Sequence, residues 1–402
     1  MRKFTLFTTL CLVVFYTRLS GQELTCGTKN PDVLSPSDIQ FGLAAQQRAN
    51  KITGIVKVIP IAVHVIYSIE PNDPHNISLA QITSQIDQLN ADFRGESGGV
   101  DTEIQFCLAG VNRVLLPNLI NIERTTNAAI LKDSIQEDPN IFLNVWVVNT
   151  VTVSNTFVYG YSSFPQQLGI APQLDGIVIR SYFFGTTGNI ATNDDYNMGR
   201  TMVHEVGHWL SLLHVFQNGC DDAATCATEG DCCCDTPPQE EEYRKCPLAR
   251  NTCHGDSPDK KDPLHNFMGY AKDDCRTEFT ECQKGRMQLC LETMRPTAWF
   301  QQGGDCPAFK RKPTVTRDLA VSVYPNPFGS EASITITVIG KETPVTVTVV
   351  DAKGMEVAVL LHNKLLAVGN HALRFDAPTS GIYLARVVSP WSTKTIKMVS
   401  NR

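Results

Sequence analysis

The sequence predicts a mixed α/β domain followed by a small all-β sandwich. Three features carry this prediction: a dense β-branched run from Val56 to Tyr67, an amphipathic helical pattern from Ile77 to Phe93, and alternating apolar and polar residues from Leu319 to Arg402. The 402 residues, 42% hydrophobic and 19% charged, are enough for two or three folded domains. We therefore expect a larger domain of sheet and helices, with the sandwich after it.

The N-terminal residues have the composition of a secretory signal. Arg2 and Lys3 precede an apolar stretch from Phe4 to Tyr16, which small residues follow. A membrane anchor is the alternative, but the stretch is shorter than the roughly 20 residues that span a bilayer. We assign residues 1–21 to a signal peptide, 22–54 to a propeptide, 55–309 to the α/β domain, 310–317 to a linker and 318–402 to the sandwich.

Net charge and cysteine content narrow the possible partners and compartments. A net charge of −6 without a long basic run argues against nucleic acid or an anionic membrane surface as a partner. Fourteen cysteines suit a protein that matures where disulfides persist. If Cys11 and Cys26 leave with the signal and the propeptide, an even number remains and full pairing is possible.

The order of patterns before the first cluster of histidines predicts β-α-β-β-β. The first strand should lie in a sheet covered on both faces, with His64 packed inside it rather than binding a ligand. The helix should begin after a capping Ser78. Later strands are predicted at 104–111, 141–149 and 176–182. A closing helix is predicted within 289–299, because 283–294 has few breakers and Pro296 would stop it. The stretch between, rich in Cys, Asp, Gly and Pro, should be held by disulfides or cations.

Residues 204–214 read His-Glu-Val-Gly-His-Trp-Leu-Ser-Leu-Leu-His, which is the pattern of a catalytic zinc site. His204 and His208 are one helical turn apart, so both imidazoles lie on one face and can bind one ion. Glu205 can take a proton from a water at the metal. His214 comes too late for the same helical face, so the helix must end and the chain must turn back. Three histidines leave a fourth position open, as in catalytic zinc sites.

The segment Asn266-Phe-Met-Gly-Tyr270 supports this interpretation. His-Glu-x-x-His alone is a weak signal, but a third histidine at this spacing and a Met-containing turn are the two hallmarks of metzincins. Taken alone, a buried Met268 would usually fill a core. Tyr270 can turn its hydroxyl towards the oxyanion of a tetrahedral intermediate, with a packed aromatic as the alternative.

Residues 56–300 resemble the pappalysin family of metzincins. Besides the zinc helix and the Met-turn, the resemblance runs through Ile59–Tyr67, Gln85–Arg94, Phe106–Ala109, Asp175–Ile179, Gly199–Thr201, Gly230-Asp231 with Asp235–Pro237, and Phe279-Thr280 with Gln283, Arg286 and Met287. It implies a secreted zinc endopeptidase acting on proteins or peptides. His204, His208 and His214 would be the ligands, Glu205 the general base and Tyr270 the group that stabilises the transition state.

The resemblance also implies structural features of the cysteine-rich stretch. Asp231, Asp235 and Thr236 would supply oxygen ligands to Ca²⁺, which prefers such ligands. Cys246 would pair with Cys275, and Cys253 with a cysteine within 226–234.

One acidic residue is implied to set specificity. Asp273, five residues after Met268, matches a carboxylate that receives an Arg side chain in the pocket after the scissile bond. Guanidinium and carboxylate groups pair through two hydrogen bonds, so we expect cleavage before Arg and less so Lys. Lys272 would weaken this pocket, and a solvated loop acid is the alternative.

The segment Cys26-Gly27-Thr28 resembles the cysteine switch of the same family. There, a propeptide thiolate fills the open zinc position, and thiolate is a good zinc ligand. The motif is short, and Leu24 or Thr25 replaces the arginine that often precedes it.

Three positions depart from the family pattern. Ser211 stands where metzincins place glycine, at a bend that favours positive φ, so its β-carbon should cost about 1 kcal/mol. Gly269 replaces a frequent Asp after the methionine. The run Cys232–Cys234 should make separate bridges because adjacent cysteines rarely bond each other, and a structural zinc held by these cysteines with His254 is the alternative.

The C-terminal residues resemble a type IX secretion sorting domain, through Val323–Phe328, Gly381–Arg386 and Thr395–Val399. This implies export across the outer membrane of a Bacteroidetes-type bacterium, to the medium or the cell surface, with the secretion machinery as a partner. Two rival functions stay open at this point: an exported binding or adhesion module that lost turnover, and a zinc hydrolase of small amides. Digestion of casein or gelatin separates them from an endopeptidase.

Overall fold

The computed structural model describes residues 24–28, 35–48, 54–68, 72–191, 195–220, 225–247, 249–254, 260–309, 319–338 and 342–402. The signal peptide predicted at 1–21 and the linker predicted at 310–317 lie outside the described residues. Within the described ranges, no helix combines the length and apolar character that a membrane crossing requires.

A mixed sheet forms the centre of the larger domain. In the described part of the chain its nine strands are β1 (Leu24–Cys26), β2 (Lys57–Tyr67), β3 (Ile104–Leu115), β4 (Asn121–Glu123), β5 (Leu143–Val148), β6 (Thr150–Val153), β7 (Thr156–Ser162), β8 (Ile177–Arg180) and β9 (Phe300–Gln301). The strand order is β3-β2-β5-β8-β7-β6-β4, with β1 paired to β7 and β9 to β2. β7 runs antiparallel to β8 and β6, whereas β2, β3, β5 and β8 are parallel.

Strand β2 is buried over its whole length except at Tyr67. A continuous β-branched run without polar alternation suits a strand covered on both faces, as predicted. His64 is fully buried, stacks on Trp146 with ring centroids 5.5 Å apart, and has its Nε2 2.9 Å from Oδ1 of Asn144. It is a packed core histidine, which confirms the prediction.

Six helices surround the sheet in the described residues: α1 (Pro36–Gln46), α2 (Leu79–Phe93), α3 (Ala128–Ser134), α4 (Gln166–Ile170), α5 (Arg200–Trp209) and α6 (Glu281–Thr293). Ser78 caps α2 as predicted, its Oγ accepting from the Gln81 N–H at 3.1 Å. α6 begins with a reciprocal capping box between Thr280 and Gln283. The sequence pattern missed β4, α3 and the β6–β7 hairpin, because these short elements carry too few residues for a clear periodicity.

Disulfides hold the cysteine-rich stretch, as the sequence predicts. The bridges are Cys107–Cys306, Cys220–Cys253, Cys226–Cys234 and Cys246–Cys275. The pair Cys246–Cys275 is confirmed. The expected partner of Cys253 is wrong: Cys220 takes it, because Cys226 and Cys234 close a short loop on each other. Of the run 232–234 only Cys234 is bridged, so the possibility of full pairing is not realised.

The C-terminal residues form the predicted all-β sandwich. Its strands are β10 (Leu319–Tyr324), β11 (Glu331–Val338), β12 (Thr343–Asp351), β13 (Glu356–Leu366), β14 (Gly369–Asp376), β15 (Gly381–Val388) and β16 (Thr393–Ser400). They form antiparallel sheets of order β10-β11-β14 and β13-β12-β15-β16. Every second residue of β11 and β12 is buried, for example Ile334, Ile336, Val345 and Val347. The predicted fold class, an α/β domain followed by a sandwich, is therefore confirmed.

Candidate active site

Helix α5 and the turn after it bring three imidazoles to one point. The Nε2 atoms of His204 and His208 are 3.1 Å apart, and Nε2 of His214 lies 3.2 Å and 3.1 Å from them. Zn–N bonds of about 2.0–2.1 Å in a tetrahedral arrangement place ligand nitrogens about 3.3 Å apart. The three nitrogens thus form a triangle of the size that a Zn²⁺ ion requires.

The second nitrogen of two of these rings is fixed by a backbone carbonyl. Nδ1 of His204 donates to Phe267 O, and Nδ1 of His208 donates to Leu212 O, each at 2.8 Å. These bonds leave the Nε2 lone pairs free for a metal. Burial lowers the pKa of His208 to about 4 and lowers the pKa of the other two rings as well. Neutral imidazoles are the form that binds zinc, so the residues present fit the ion.

The bend between the second and third histidines uses a left-handed backbone. Ser211 has φ of +81°, which confirms the positive φ predicted from its place in the glycine position. Its carbonyl accepts a hydrogen bond from Nε of Arg286 at 2.7 Å. The bend turns the chain back so that His214 faces α5.

The Met-turn lies directly beneath the histidines. Met268 is fully buried, and its sulfur is so close to Gly207 that a β-carbon at that position would collide with it. The Met268 N–H donates to Oδ1 of Asn266 at 2.9 Å. Asn266 therefore supplies a hydrogen bond to the turn from before the methionine, although Gly269 replaces the frequent Asp after it.

Glu205 and Tyr270 flank the point where the three nitrogens meet. Glu205 is fully buried, and burial raises its pKa to about 7. A carboxyl with a pKa near the working pH is suited to proton transfer. The Tyr270 hydroxyl lies 3.1 Å from Nε2 of His214. The structure thus brings together the five residues that the sequence analysis assigned to catalysis and zinc.

A segment of the predicted propeptide reaches the same point. Strand β1 pairs in parallel with β7, and Sγ of Cys26 lies 3.6 Å from Nε2 of His208. The sulfur and the three histidine nitrogens all lie within 4.8 Å of one another. Two residues on, the Thr28 hydroxyl donates to Oε2 of Glu205 at 3.0 Å. Gly27 between them packs so tightly that a β-carbon would approach Val153 and Val158 to 2.8–3.0 Å.

Asp273 is buried and already has partners within the chain. It is fully buried, its Oδ1 pairs with the guanidinium of Arg276, and its Oδ2 accepts from the Met198 N–H at 2.8 Å. The solvated loop acid is therefore wrong. A substrate side chain at this carboxylate would have to share it with Arg276.

The three calcium candidates also have protein partners. Asp235 accepts from the Thr280 hydroxyl and the Cys282 N–H, each at 2.8 Å. Oδ1 of Asp231 accepts from the Cys233 N–H at 2.9 Å, and the Thr236 N–H donates to Cys233 O at 3.0 Å. His254, considered as a zinc ligand, is exposed and joins none of the potential metal-binding clusters among the described residues.

Sequence reasoning missed several residues that position the site. Arg276 pairs with Asp273, Arg286 holds the bend, Asn266 holds the Met-turn and Arg124 donates to Gly27 O at 2.8 Å. Arg286 and Arg124 act across the fold on residues distant in sequence, whereas Arg276 and Asn266 act on residues two or three positions away. A buried arginine or asparagine has no periodic or spacing signal of its own.

The fold and the site define a metzincin-type metalloprotease, in which a mixed sheet carries a three-histidine centre above a Met-turn. The comparisons with known proteins identify the family. Residues 125–292 match the peptidase M43 family model, described as "Pregnancy-associated plasma protein-A". An extracellular metalloprotease of Pyricularia oryzae is 31% identical over 68% of this chain and 90% of its own length, and one of Verticillium alfalfae is 32% identical over 67% and 91%. The chain belongs to this pappalysin family of metalloproteases, and it is a metalloendopeptidase.

Solved structures agree with this assignment. Mature mirolysin of Tannerella forsythia in complex with a cleaved peptide has a TM-score of 0.50 at 30% identity, covering 60% of this chain and 94% of that one. A promirolysin mutant of the same organism has a TM-score of 0.56 at 26% identity, covering 68% and 95%. The family implies a catalytic zinc, and the three histidines described above fit it.

The second domain is identified independently. Residues 322–401 match a secretion system C-terminal sorting domain. The resemblance to a type IX sorting domain is thereby confirmed, and it indicates secretion from a Bacteroidetes bacterium, in agreement with the extracellular relatives.

Proposed function

We propose that this chain is the precursor of a secreted zinc endopeptidase whose site is built by His204, His208, His214, Glu205 and Tyr270. The observation that carries the proposal is the triangle of three Nε2 atoms, 3.1–3.2 Å apart, beside a buried carboxylate. The processed form would begin near residue 55 and lose the sorting domain after the linker at 310–317.

The chain's own residues would perform the proton transfers. A Zn²⁺ ion held by the three histidines supplies an electrophile for the peptide carbonyl and acidifies the attacking water. Glu205 takes a proton from that water and passes it to the leaving amine. Tyr270 donates a hydrogen bond to the developing oxyanion, since its hydroxyl already lies at the edge of the histidine triangle.

Proteolysis and zinc content are to be measured on the same preparations. The processed enzyme should clear casein in a zymogram and contain one zinc per chain. Glu205→Ala should keep the zinc but lose clearing, because the ligands remain and the base is gone. Equal clearing by both proteins would contradict the assignment of the base, and absence of zinc from the active wild type would contradict the whole site.

We further propose that residues 26–28 keep the precursor inactive by two contacts. Cys26 would occupy the fourth position at the metal, supported by its position within 4.8 Å of the three ligand nitrogens. Thr28 would hold the general base, supported by its 3.0 Å hydrogen bond to Glu205. The backbone pairing of β1 with β7 and the bond from Gly27 N to Gly160 O at 2.8 Å hold both residues in place.

A matched set of precursor variants tests this latency. Cys26→Ala should give an active uncleaved precursor, and Thr28→Val should raise its basal activity by a smaller factor. Thr25→Val is the control, because Thr25 precedes Cys26 in strand β1 and its buried hydroxyl has no hydrogen-bond partner among the described residues. If Thr25→Val activates as much as Thr28→Val, loosening of the strand explains the effect and the specific contact with Glu205 does not.

Calcium binding stays a proposal for the segment from Asp231 to Thr236. A carboxylate oxygen that accepts one hydrogen bond keeps a lone pair for a cation, so the partners of Asp235 do not exclude it. EGTA should lower the melting temperature and Ca²⁺ should restore it, with Mg²⁺ as the control. An unchanged melting temperature would contradict calcium binding by this segment.

The preference for Arg or Lys after the scissile bond also stays a proposal. An incoming guanidinium would have to share Asp273 with Arg276, which argues for a weak preference. Mass spectrometry of products from a peptide library measures it directly. The role of Asp273 is supported if Arg is enriched after the cut and this enrichment disappears in Asp273→Asn at unchanged zinc content. If the wild type shows no such enrichment, the proposed preference is wrong.

A further inference from the structure

Three unbridged cysteines lie together at the start of α6, away from the histidine centre. Cys232 and Cys233 belong to the cysteine-rich stretch and Cys282 to the first turn of α6, and all three are buried. The sulfurs of Cys233 and Cys282 and a carboxylate oxygen of Asp235 lie within 4.8 Å of one another. Cys282 contacts the backbone of Cys232, with its sulfur 3.7 Å from the Cys232 carbonyl oxygen.

Hydrogen bonds that do not involve sulfur hold these two segments side by side. Asp235 accepts from the Cys282 N–H and from the Thr280 hydroxyl, each at 2.8 Å. Two residues earlier, the Cys233 N–H donates to Asp231 at 2.9 Å and its carbonyl accepts from Thr236 at 3.0 Å. The backbone on both sides is thus fixed in a position that keeps the two thiols together.

We propose that Cys233 and Cys282 are the site of a fifth disulfide, formed while the exported chain folds. The thiolate of Cys233 attacks a sulfur of an oxidant that is itself a disulfide, of a protein or of a small thiol, and releases one oxidant thiol. The thiolate of Cys282 then attacks Cys233 in this mixed disulfide and releases the second. Two protein thiols lose two protons and two electrons, and the oxidant disulfide becomes two thiols.

The burial of both thiols determines the stage of folding at which this exchange can occur. Cys233 is 2% exposed and Cys282 is fully buried, so an oxidant cannot reach them in the folded chain. The bridge must therefore form before α6 packs against the cysteine-rich stretch. Once formed, it should resist reductants until the domain unfolds.

A metal ion at the same atoms is the competing occupant, and the ligand set disfavours it. Structural zinc sites use four protein ligands. In the described residues this cluster offers only three potential ligands, two sulfurs and one carboxylate. Disulfide formation needs only the two sulfurs.

The bridge would support the floor of the active site. Gln283, next to Cys282, exchanges two hydrogen bonds with the Asn266 side chain, at 2.8 Å and 3.0 Å. Asn266 in turn holds the Met268 N–H at 2.9 Å. A covalent tie at Cys282 would therefore fix the start of α6 against the Met-turn.

Thiol mapping of the exported precursor tests the proposal. The protein is denatured without reductant, alkylated and digested, and the peptides are analysed by mass spectrometry. We expect three of the five unbridged cysteines, Cys26, Cys232 and Cys290, to be alkylated, and a peptide pair joined through Cys233 and Cys282. Five alkylated cysteines, or a bridge through Cys232, would overturn the proposal. So would stoichiometric metal that Cys233→Ala removes while His204→Ala does not.

Stability gives a second readout with a matched control. Cys282→Ala should lower the melting temperature by about 5–15 °C, because it releases a long loop in the unfolded chain. Cys290→Ala makes the same change on the same helix at an equally buried position, and it should shift the melting temperature much less. With reductant present during refolding, wild type and Cys282→Ala should become alike. Equal effects of the two substitutions would contradict the bridge.

Discussion

Replacing Ser211 by glycine should stabilise the catalytic domain, although the residue lies between two histidines of the site. Its φ of +81° costs a residue with a β-carbon about 1–2 kcal/mol. Its hydroxyl is buried without a hydrogen-bond partner among the described residues, which costs about 1 kcal/mol or more. Glycine offsets part of this gain, by about 0.5–1 kcal/mol, because it makes the unfolded chain more flexible.

The net gain for Ser211→Gly is about 1.5 kcal/mol, or roughly 3–6 °C in melting temperature for a domain of this size. The two backbone hydrogen bonds of the bend, from Ser211 N to His208 O and from Arg286 to Ser211 O, need no side chain and should persist. Denaturant unfolding followed by tryptophan fluorescence is suitable, because Trp146 and Trp209 are fully buried. The inactive Glu205→Ala background prevents self-digestion, and zinc must be held at one concentration.

Two further variants separate the two contributions. Ser211→Ala removes only the unpaired hydroxyl and should recover about 1 kcal/mol. Ser154→Gly removes only backbone strain, since Ser154 has φ of +50° and an exposed side chain, and it should gain about 0.5 kcal/mol. If Ser211→Gly is neutral or destabilising while Ser154→Gly gains stability, the account of the bend is refuted.

Three other changes have defined outcomes. Tyr270→Phe should lower kcat by about 100-fold with KM and zinc content nearly unchanged, because only a transition-state hydrogen bond is lost; a change in KM alone would contradict this. Burial lowers the pKa of His64 from 6.5 to about 4. His64 is therefore protonated at a higher pH in the unfolded chain than in the folded one, and stability should fall as the pH drops from 6.5 towards 4. Between pH 7 and pH 5 the wild type should therefore lose about 2 kcal/mol more stability than His64→Gln, as measured by denaturation of both proteins at both pH values. Arg276→Ala should destabilise the domain by about 3–5 kcal/mol, because it leaves Asp273 buried and unpaired, and calorimetry of Arg276→Ala beside Asp273→Asn checks this.

Local geometry explains why the histidine centre could be predicted. Residues four apart on a helix always share a face, so the sequence alone places the nitrogens of His204 and His208 together. The positive φ of Ser211 follows from the same logic, since the chain must reverse sharply to return His214. Strands and capped helices were predicted where long periodic runs exist, and missed where elements are as short as β4.

Several assignments depended on which partner a side chain takes in the folded domain. Asp273 was expected to receive a substrate side chain, but Arg276, three residues further on, pairs with its buried carboxylate. Cys253 was given the wrong partner because cysteine pairing depends on the path of the intervening chain. Spacing restricts such pairs but does not choose among them.

The histidine ligands, the Met-turn and the order of the two domains could be predicted from the sequence, because these predictions depend on helix periodicity, strand alternation and residue chemistry. The hydrogen-bond partners and neighbours of these residues depend on the tertiary structure. It places Thr28 on Glu205, Arg286 on the Ser211 carbonyl and Cys233 beside Cys282. Such contacts join segments far apart in the chain, and their positions follow from the packing of the whole domain around its sheet.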